Sequence, residues 1–316
     1  MQDIQSVIKK VRIYIKGKNY HAAIKYLNIL IEKDSSIFDL FIERGLVFER
    51  IREYENAISD YTNAINLNSL NADPYKNRGN AKSKLKQYED SILDYTKAIE
   101  LDPLLVSAYN NRGISKETLG DLEGASKDYS SAIKIKPNFA SPYCNRGIIK
   151  DLQGDYQGSI SDYNEAIKLN PKFSSAFNNR GIVKQKINDF LSAIDDFTKA
   201  IEINPKFSSA YNNRGISKAK LERYYEAQND FDSAIKISPR FADPYLNRGI
   251  LKKDMGLFNE SLVDLNSAIK INPKYANAYY ERGILKNHLN IKLEAIKDFK
   301  KALSLGEQKA ADLIND

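Results

Sequence analysis

The sequence predicts an all-α fold, an array of helix pairs stacked as an α-solenoid, and three observations carry that prediction. The pair Arg-Gly recurs at 44–45, 78–79, 112–113, 146–147, 180–181, 214–215, 248–249 and 282–283, every step being 34 residues. The heptapeptide NNRGISK is written at 110–116 and again at 212–218, with NNRGIVK between them at 178–184. All nine prolines fall at two places in the 34-residue frame. A fixed period of about 20–50 residues marks supersecondary units that bury their apolar faces only by stacking.

Taking each of those glycines as position 8 gives repeats at 38–71, 72–105, 106–139, 140–173, 174–207, 208–241, 242–275 and 276–309. A degenerate unit, 4–37, precedes them; Val11 replaces its Gly and Leu30 its Ala, as in an adapted cap. The stretch 307–316 is expected to form a short C-terminal cap, with Ala310, Leu313 and Ile314 over the last seam, so that 1–316 reads as one elongated domain.

Each unit is predicted to be two helices. Pro103, Pro137, Pro171, Pro205, Pro239 and Pro273, at position 32, end the second helix. Pro74, Pro142 and Pro244, at position 3, follow Asp73, Ser141 and Asp243, which predicts a side-chain cap followed by proline at N1. The turn between the helices is visible as LGD at 119–121, QGD at 153–155 and MGL at 255–257. Both halves carry the 3.6-residue apolar period, and nothing alternates as a strand does.

Small residues recur where helices must approach closely: Gly at position 8, Ala or Ser at position 20, Ala at position 27. Rings stand beside them, at position 4 (Phe41, Tyr75, Tyr109, Tyr143, Phe177, Tyr211, Tyr245, Tyr279) and at position 24 in every repeat except that of Leu265. Rings at helical spacing are expected to be packing residues.

Aromatic-4, Gly-8, Ala-20, aromatic-24, Ala-27 and Pro-32 in a 34-residue unit resemble the tetratricopeptide repeat, over eight full units and the degenerate first one. The resemblance implies a right-handed superhelix, its first (A) helices lining a concave groove and its second (B) helices the convex back. It also implies groove positions 2, 5, 6, 9, 12 and 13. Two positions depart from the family pattern: position 7 is Arg in all eight units, and position 11 is Lys in seven. Position 23 is Asp in all eight, from Asp60 to Asp298. The expectation is a ladder of Arg–Asp ion pairs that fixes repeat register, with the lysine stems packed and their ammoniums in solvent.

No catalytic constellation is legible. The two histidines, His21 and His288, lie in the first and last units, and helix layers about 8–10 Å apart hold them far beyond shared ligation. They are expected at the surface. Cys144 has no histidine in its own or neighbouring repeats, and neither GxxxxGK nor GxGxxG occurs. The reading is therefore no enzyme, no cofactor and no metal. One cysteine, no signal-peptide pattern and no apolar run long enough to span a bilayer suggest a cytoplasmic protein. The net charge of +7 raises the question of nucleic acid. The groove positions hold nine acids against six bases, so the groove is not expected to bind nucleic acid.

What the groove positions do hold is asparagine. Position 6 is Asn77, Asn111, Asn145, Asn179, Asn213 and Asn247, doubled at position 5 by Asn110, Asn178 and Asn212. Position 9 is Ile114, Ile148, Ile182, Ile216, Ile250 and Ile284 in six units. A carboxamide matches both the C=O and the N–H of a peptide unit. A row of them, continuous and with free amides, is expected to hold an extended peptide whose apolar side chains meet the isoleucines. This resembles the asparagine ladder in the repeat arm of O-linked N-acetylglucosamine transferase. The alternative is that Asn is tolerated at a wet helix surface while Ile packs on the next A helix. Lys76, Asn80 and Asn111 also match three of the five residues of a chaperone-type carboxylate clamp, with Ser141 and Asn145 in place of the last two bases. The functional reading is a non-catalytic scaffold for a protein or extended peptide. The alternatives are a self-associating solenoid and a clamp-type adaptor.

Overall fold

The computed structural model describes residues 4–314, and among them are eighteen α-helices, one 3₁₀ turn and no strand. The remaining residues of the span read from the sequence, 1–3 and 315–316, lie outside the described residues. The chain divides into two compact units, the first ending at Asp155 and the second beginning at Tyr156.

The first unit holds α1 (Ile4–Lys16), α2 (Tyr20–Lys33), α3 (Phe38–Arg50), α4 (Tyr54–Leu67), α5 (Ala72–Lys84), α6 (Tyr88–Leu101), α7 (Val106–Thr118), α8 (Leu122–Ile135) and α9 (Ala140–Leu152). The second holds α10 (Tyr156–Leu169), α11 (Ser174–Lys186), α12 (Phe190–Ile203), α13 (Ser208–Lys220), α14 (Tyr224–Ile237), α15 (Ala242–Asp254), α16 (Phe258–Ile271), α17 (Ala276–His288) and α18 (Lys292–Ser304). Odd-numbered helices are the A helices and even-numbered ones the B helices. Within each unit every helix packs on the next in sequence, and A helices also touch their successors, as α5 touches α7 and α13 touches α15.

The core is a series of small clusters spaced along the helix array. In the first unit, Val7, Val11, Ala23 and Leu27 open the series, followed by clusters around Tyr61, Tyr95 and Tyr129. In the second unit, clusters form around Ala210, Phe231 and Leu265, and a last one joins Phe299 and Ala302 to buried Ala310 of the 3₁₀ turn. Leu313 and Ile314 pack against that last cluster.

Position 8 is Gly because the ring at position 24 lies directly on it. A Cβ at Gly181 would stand 2.7 Å from Phe197, and one at Gly113 would stand 2.6 Å from Tyr129. Where Leu265 replaces the ring, the gap at Gly249 widens to 3.0 Å. This glycine serves close approach rather than backbone freedom.

The turn between the paired helices does need backbone freedom. Position 15 is left-handed at Gly120, Gly154 and Gly256, and also at Arg52, Lys86, Asn188, Glu222 and Asn290, with φ between 59° and 86°. Side chains strain that conformation by about 1 kcal/mol. Glu222→Gly and Lys86→Gly are each expected to raise stability by roughly 0.5–1 kcal/mol, measured by urea unfolding.

The helix starts differ from expectation. α5, α9 and α15 begin at Ala72, Ala140 and Ala242, which places Pro74, Pro142 and Pro244 at the third helical position rather than the first. Proline is still accommodated there, because none of the first four amides has an intrahelical acceptor. The cap of α5 is Asn71, whose side chain accepts from the Asp73 amide at 2.9 Å.

Candidate functional site

Each position-7 arginine joins two successive repeats. In the first unit Arg44, Arg78 and Arg112 meet Asp60, Asp94 and Asp128 through both Nε and Nη2, at 2.6–2.9 Å. In the second, Arg180, Arg214 and Arg282 meet Asp196, Asp230 and Asp298 in the same way at 2.5–3.0 Å, and Arg248 meets Asp264 likewise. Each aspartate lies 16 residues downstream, on the B helix of the same repeat. The remaining prong, Nη1, reaches 16 residues upstream to position 25 on the preceding B helix: Asn28, Thr62, Thr96 or Ser130 in the first unit. In the second unit it reaches Asn164, Thr198, Asp232 or Asn266. The position-4 ring lies under the guanidinium, 5.5–5.8 Å away.

The lysines correct the sequence reading. Lys82 and Lys116 in the first unit, and Lys184, Lys218, Lys252 and Lys286 in the second, bring Nζ to 2.8–3.0 Å from Oδ2 of the same aspartate, the oxygen that also accepts from the arginine Nε. Their ammoniums close a buried triad instead of reaching solvent. The cause is the aspartates' burial, 2–4% exposed in every case: a bidentate guanidinium supplies one donor to each oxygen and leaves further lone pairs unmatched, one of which the ammonium takes. In the repeat of Asp60, Phe48 stands where the others have Lys, and burial raises the Asp60 pKa despite Arg44. The position-25 partners escaped the sequence reading, although a small polar residue 16 positions before every Arg was a legible signal.

The asparagines form two hydrogen-bonded chains. In the first unit Asn145 Nδ2 donates to Asn110 Oδ1 (3.2 Å), Asn110 to Asn111 (3.1 Å) and Asn111 to Asn80 (2.9 Å), where the Tyr95 hydroxyl also donates. In the second, Asn247 donates to Asn212 (2.9 Å), Asn212 to Asn213 (3.4 Å), Asn213 to Asn178 (3.2 Å) and Asn178 to Asn179 (3.3 Å). The doubled NN builds this zipper. The first Asn of one repeat accepts from the second Asn of the next, so a chain stops where position 5 is Leu246.

Two expectations are corrected here. Position 5 does not face the groove, since Asn110, Cys144, Asn178, Asn212 and Leu246 are buried between A helices. The position-6 amides are not free, because part of their capacity is committed to one another. Asn111, Asn145, Asn179, Asn213 and Asn247 remain half-buried on the A-helix surface, whereas Asn77 is buried. The position-9 side chains share that surface: Ile148, Ile182, Ile216, Ile250 and Ile284 are half-buried and Ile114 is 40% exposed.

The clamp residues are brought only partly together. Asn80 and Asn111 touch, but Lys76 Nζ is held 2.5 Å from the Asp73 carboxylate. An incoming carboxylate would face that aspartate. Nearby acids are strained by their surroundings: burial raises the Glu43 and Glu49 carboxyls, opposed by Arg12 for the first and by the Tyr61 hydroxyl for the second. Burial likewise pushes the Cys144 thiol up to about 12, which leaves it a poor nucleophile. His21 and His288 are exposed, the latter against the Phe258 ring at 4.8 Å.

Tetratricopeptide repeat profiles match residues 72–103, 117–150, 140–173, 174–207, 197–229 and 242–275. The chain belongs to the tetratricopeptide repeat family. No curated protein matches it significantly. Among solved structures, a tetratricopeptide repeat protein from Parabacteroides merdae ATCC 43184 is 24% identical with a TM-score of 0.63, over 77% of this chain and 97% of its own. The APC/C hetero-tetramer Cut9–Hcn1 contains a chain 17% identical with a TM-score of 0.65, over 93% of this chain and 58% of that one. The pilF protein of Pseudomonas aeruginosa is 20% identical with a TM-score of 0.60, over 69% of this chain and 97% of its own. These likenesses show the tetratricopeptide fold. Membership makes the chain a repeat scaffold of the kind that serves protein–protein interaction. Among the described residues, no helix is long and apolar enough to cross a membrane.

Proposed function

We propose that this tetratricopeptide protein is a non-catalytic scaffold that holds an extended peptide, or an extended segment of a partner protein, on its A-helix faces. The observation that carries the reading is the half-buried position-6 asparagines, whose orientation the zipper fixes in advance. A carboxamide has two N–H donors and two acceptor lone pairs. The bonds of Asn213 within the zipper use one donor and one acceptor, which leaves one of each for a ligand. A donor and an acceptor held ready in a fixed place bind a peptide backbone without the entropy of ordering a free side chain. The position-9 isoleucines beside them supply apolar contact.

The alternatives have less support. The clamp reading is opposed by the Asp73 carboxylate on Lys76. Self-association through the last repeat is opposed by Ala310, which is fully buried against Phe299.

The test is a selection of peptides from a random library against the whole chain, followed by affinity measurements on the selected peptides. Replacing Asn111, Asn145, Asn179 and Asn213 together with Ala is expected to weaken binding at least about thirtyfold. The basis is a loss of about 0.5–1.5 kcal/mol for each hydrogen bond. Some melting temperature should be lost too, since the zipper bonds go with the side chains. Selected peptides that bind the quadruple variant normally would exclude the row as the site.

A further inference from the structure

In several repeats the position-12 side chain crosses or closes the cleft below the asparagine row. Glu117 accepts from the Tyr129 hydroxyl at 2.6 Å. Gln185 spans to the next A helix, its Nε2 donating to the Asn213 carbonyl and the Ser217 hydroxyl, each at 2.8 Å. Lys253 spans to Glu281 at 2.7 Å. The repeat 208–241 breaks this pattern in three ways: position 12 is Ala219, the ring at position 24 is Phe231 without a hydroxyl, and Leu251 stands where Gln185 finds Ser217.

The result is an open cavity of about 260 Å³ between α13 and α15, entirely within the second unit. Buried Phe231 and Leu251 form its base, and Ile216, Ile250 and Tyr224 line its sides. Its rim is polar. Asn247 ends the asparagine chain there, donating to Asn212 but receiving no zipper donor of its own, because position 5 of its repeat is Leu246. Lys220 and Asp254, both exposed, stand on the two A helices that bound the cavity, and neither is in an ion pair among the described residues.

We propose that this cavity is a specificity pocket for one large apolar side chain of an extended peptide, with an acidic residue toward Lys220 and a basic residue toward Asp254. The inference rests on the groove reading above and adds the chemistry of the ligand. The cavity is smaller than the roughly 300–1,000 Å³ usual for small-molecule sites, which suits one side chain. Lys220 and Asp254 occupy the same position on neighbouring A helices, roughly 8–10 Å apart. An extended chain covers that distance in about three residues, so the two charges flank a single inserted side chain. The acceptor left on Asn247 is placed to take the peptide's N–H beside it.

The experiment uses the peptides selected on the intact chain, measured by fluorescence anisotropy against the wild type, Ala219→Gln and Lys220→Glu. Glutamine is the residue that fills the equivalent cleft at Gln185, and it favours a helix, so the fold should persist; circular dichroism checks this. Ala219→Gln is expected to weaken the selected peptides at least about tenfold, the effect of expelling one apolar side chain. Lys220→Glu should invert the preference for an acidic neighbour. In the wild type, the methyl resonances of Ile216 and Ile250 should shift on peptide addition, a readout that holds even if a variant misfolds. Peptides that bind Ala219→Gln normally, yet lose affinity in the quadruple asparagine variant, would overturn the pocket and leave the groove reading intact. Unshifted Ile216 and Ile250 methyls in the presence of bound peptide would overturn the pocket as well. A library yielding no binding peptide would overturn both.

Discussion

Asp128→Ala is expected to destabilise the chain by about 3–5 kcal/mol, the usual effect of removing one partner from a buried ion pair. Asp128 is 3% exposed and receives Arg112 on both oxygens and Lys116 on one of them. Its loss leaves two cations in a site where each side chain is at most 20% exposed. Arg112 also holds Thr96 of the preceding repeat, so the damage crosses the interface rather than staying within one helix pair. Urea unfolding of the full chain measures the effect. The informative comparison is the triple replacement Arg112→Met, Lys116→Leu, Asp128→Leu, which removes all three charges at once. It should recover most of the lost stability, because the triad's attraction is set against the desolvation of its members. A triple variant as unstable as the single one would show that packing around the stems, and not the unpaired charge, causes the loss.

Gly181→Ala is expected to lose about 1–3 kcal/mol, as overpacked cores do. The added methyl would lie 2.7 Å from the Phe197 ring, itself fully buried between helices that cannot separate without opening the seam. The repeat 242–275 supplies the remedy: Leu265 at the ring position leaves Gly249 with a gap of 3.0 Å. Adding Phe197→Leu to Gly181→Ala should therefore recover part of the stability, and the pair should couple in a double-mutant cycle by more than about 0.5 kcal/mol. Independent, additive effects would mean that the ring is not what demands glycine at position 8.

Much of this molecule was legible in its sequence, because a fixed spacing in a repeat becomes a fixed place in space. The 34-residue step of Arg-Gly set the repeats, and the pairing of a position-7 Arg with a position-23 Asp, as in Arg112–Asp128 and Arg214–Asp230, is one turn-and-helix relation repeated. Ala-27 and the rings at position 24 were identifiable as packing residues from their size and recurrence alone. These features depend on contacts within one repeat or between a repeat and its immediate neighbour, which sequence periodicity encodes directly.

The rest was decided by distances between side chains on different helices. Periodicity put Lys116 on the correct face but could not say that its ammonium would reach the Asp128 carboxylate, 2.9 Å away. It placed Asn110 and Asn111 together on α7, yet the packing of α7 on α9 buries Asn110 and makes it the acceptor of Asn145. A ladder read as free for a ligand is thus partly committed to itself. The cleft at Ala219 exists because one small side chain meets an apolar ring and a leucine on another helix, and no single position in the repeat announces it. The repeat period sets which residues recur in line; only packing decided which of their hydrogen bonds were already taken and which space was left open.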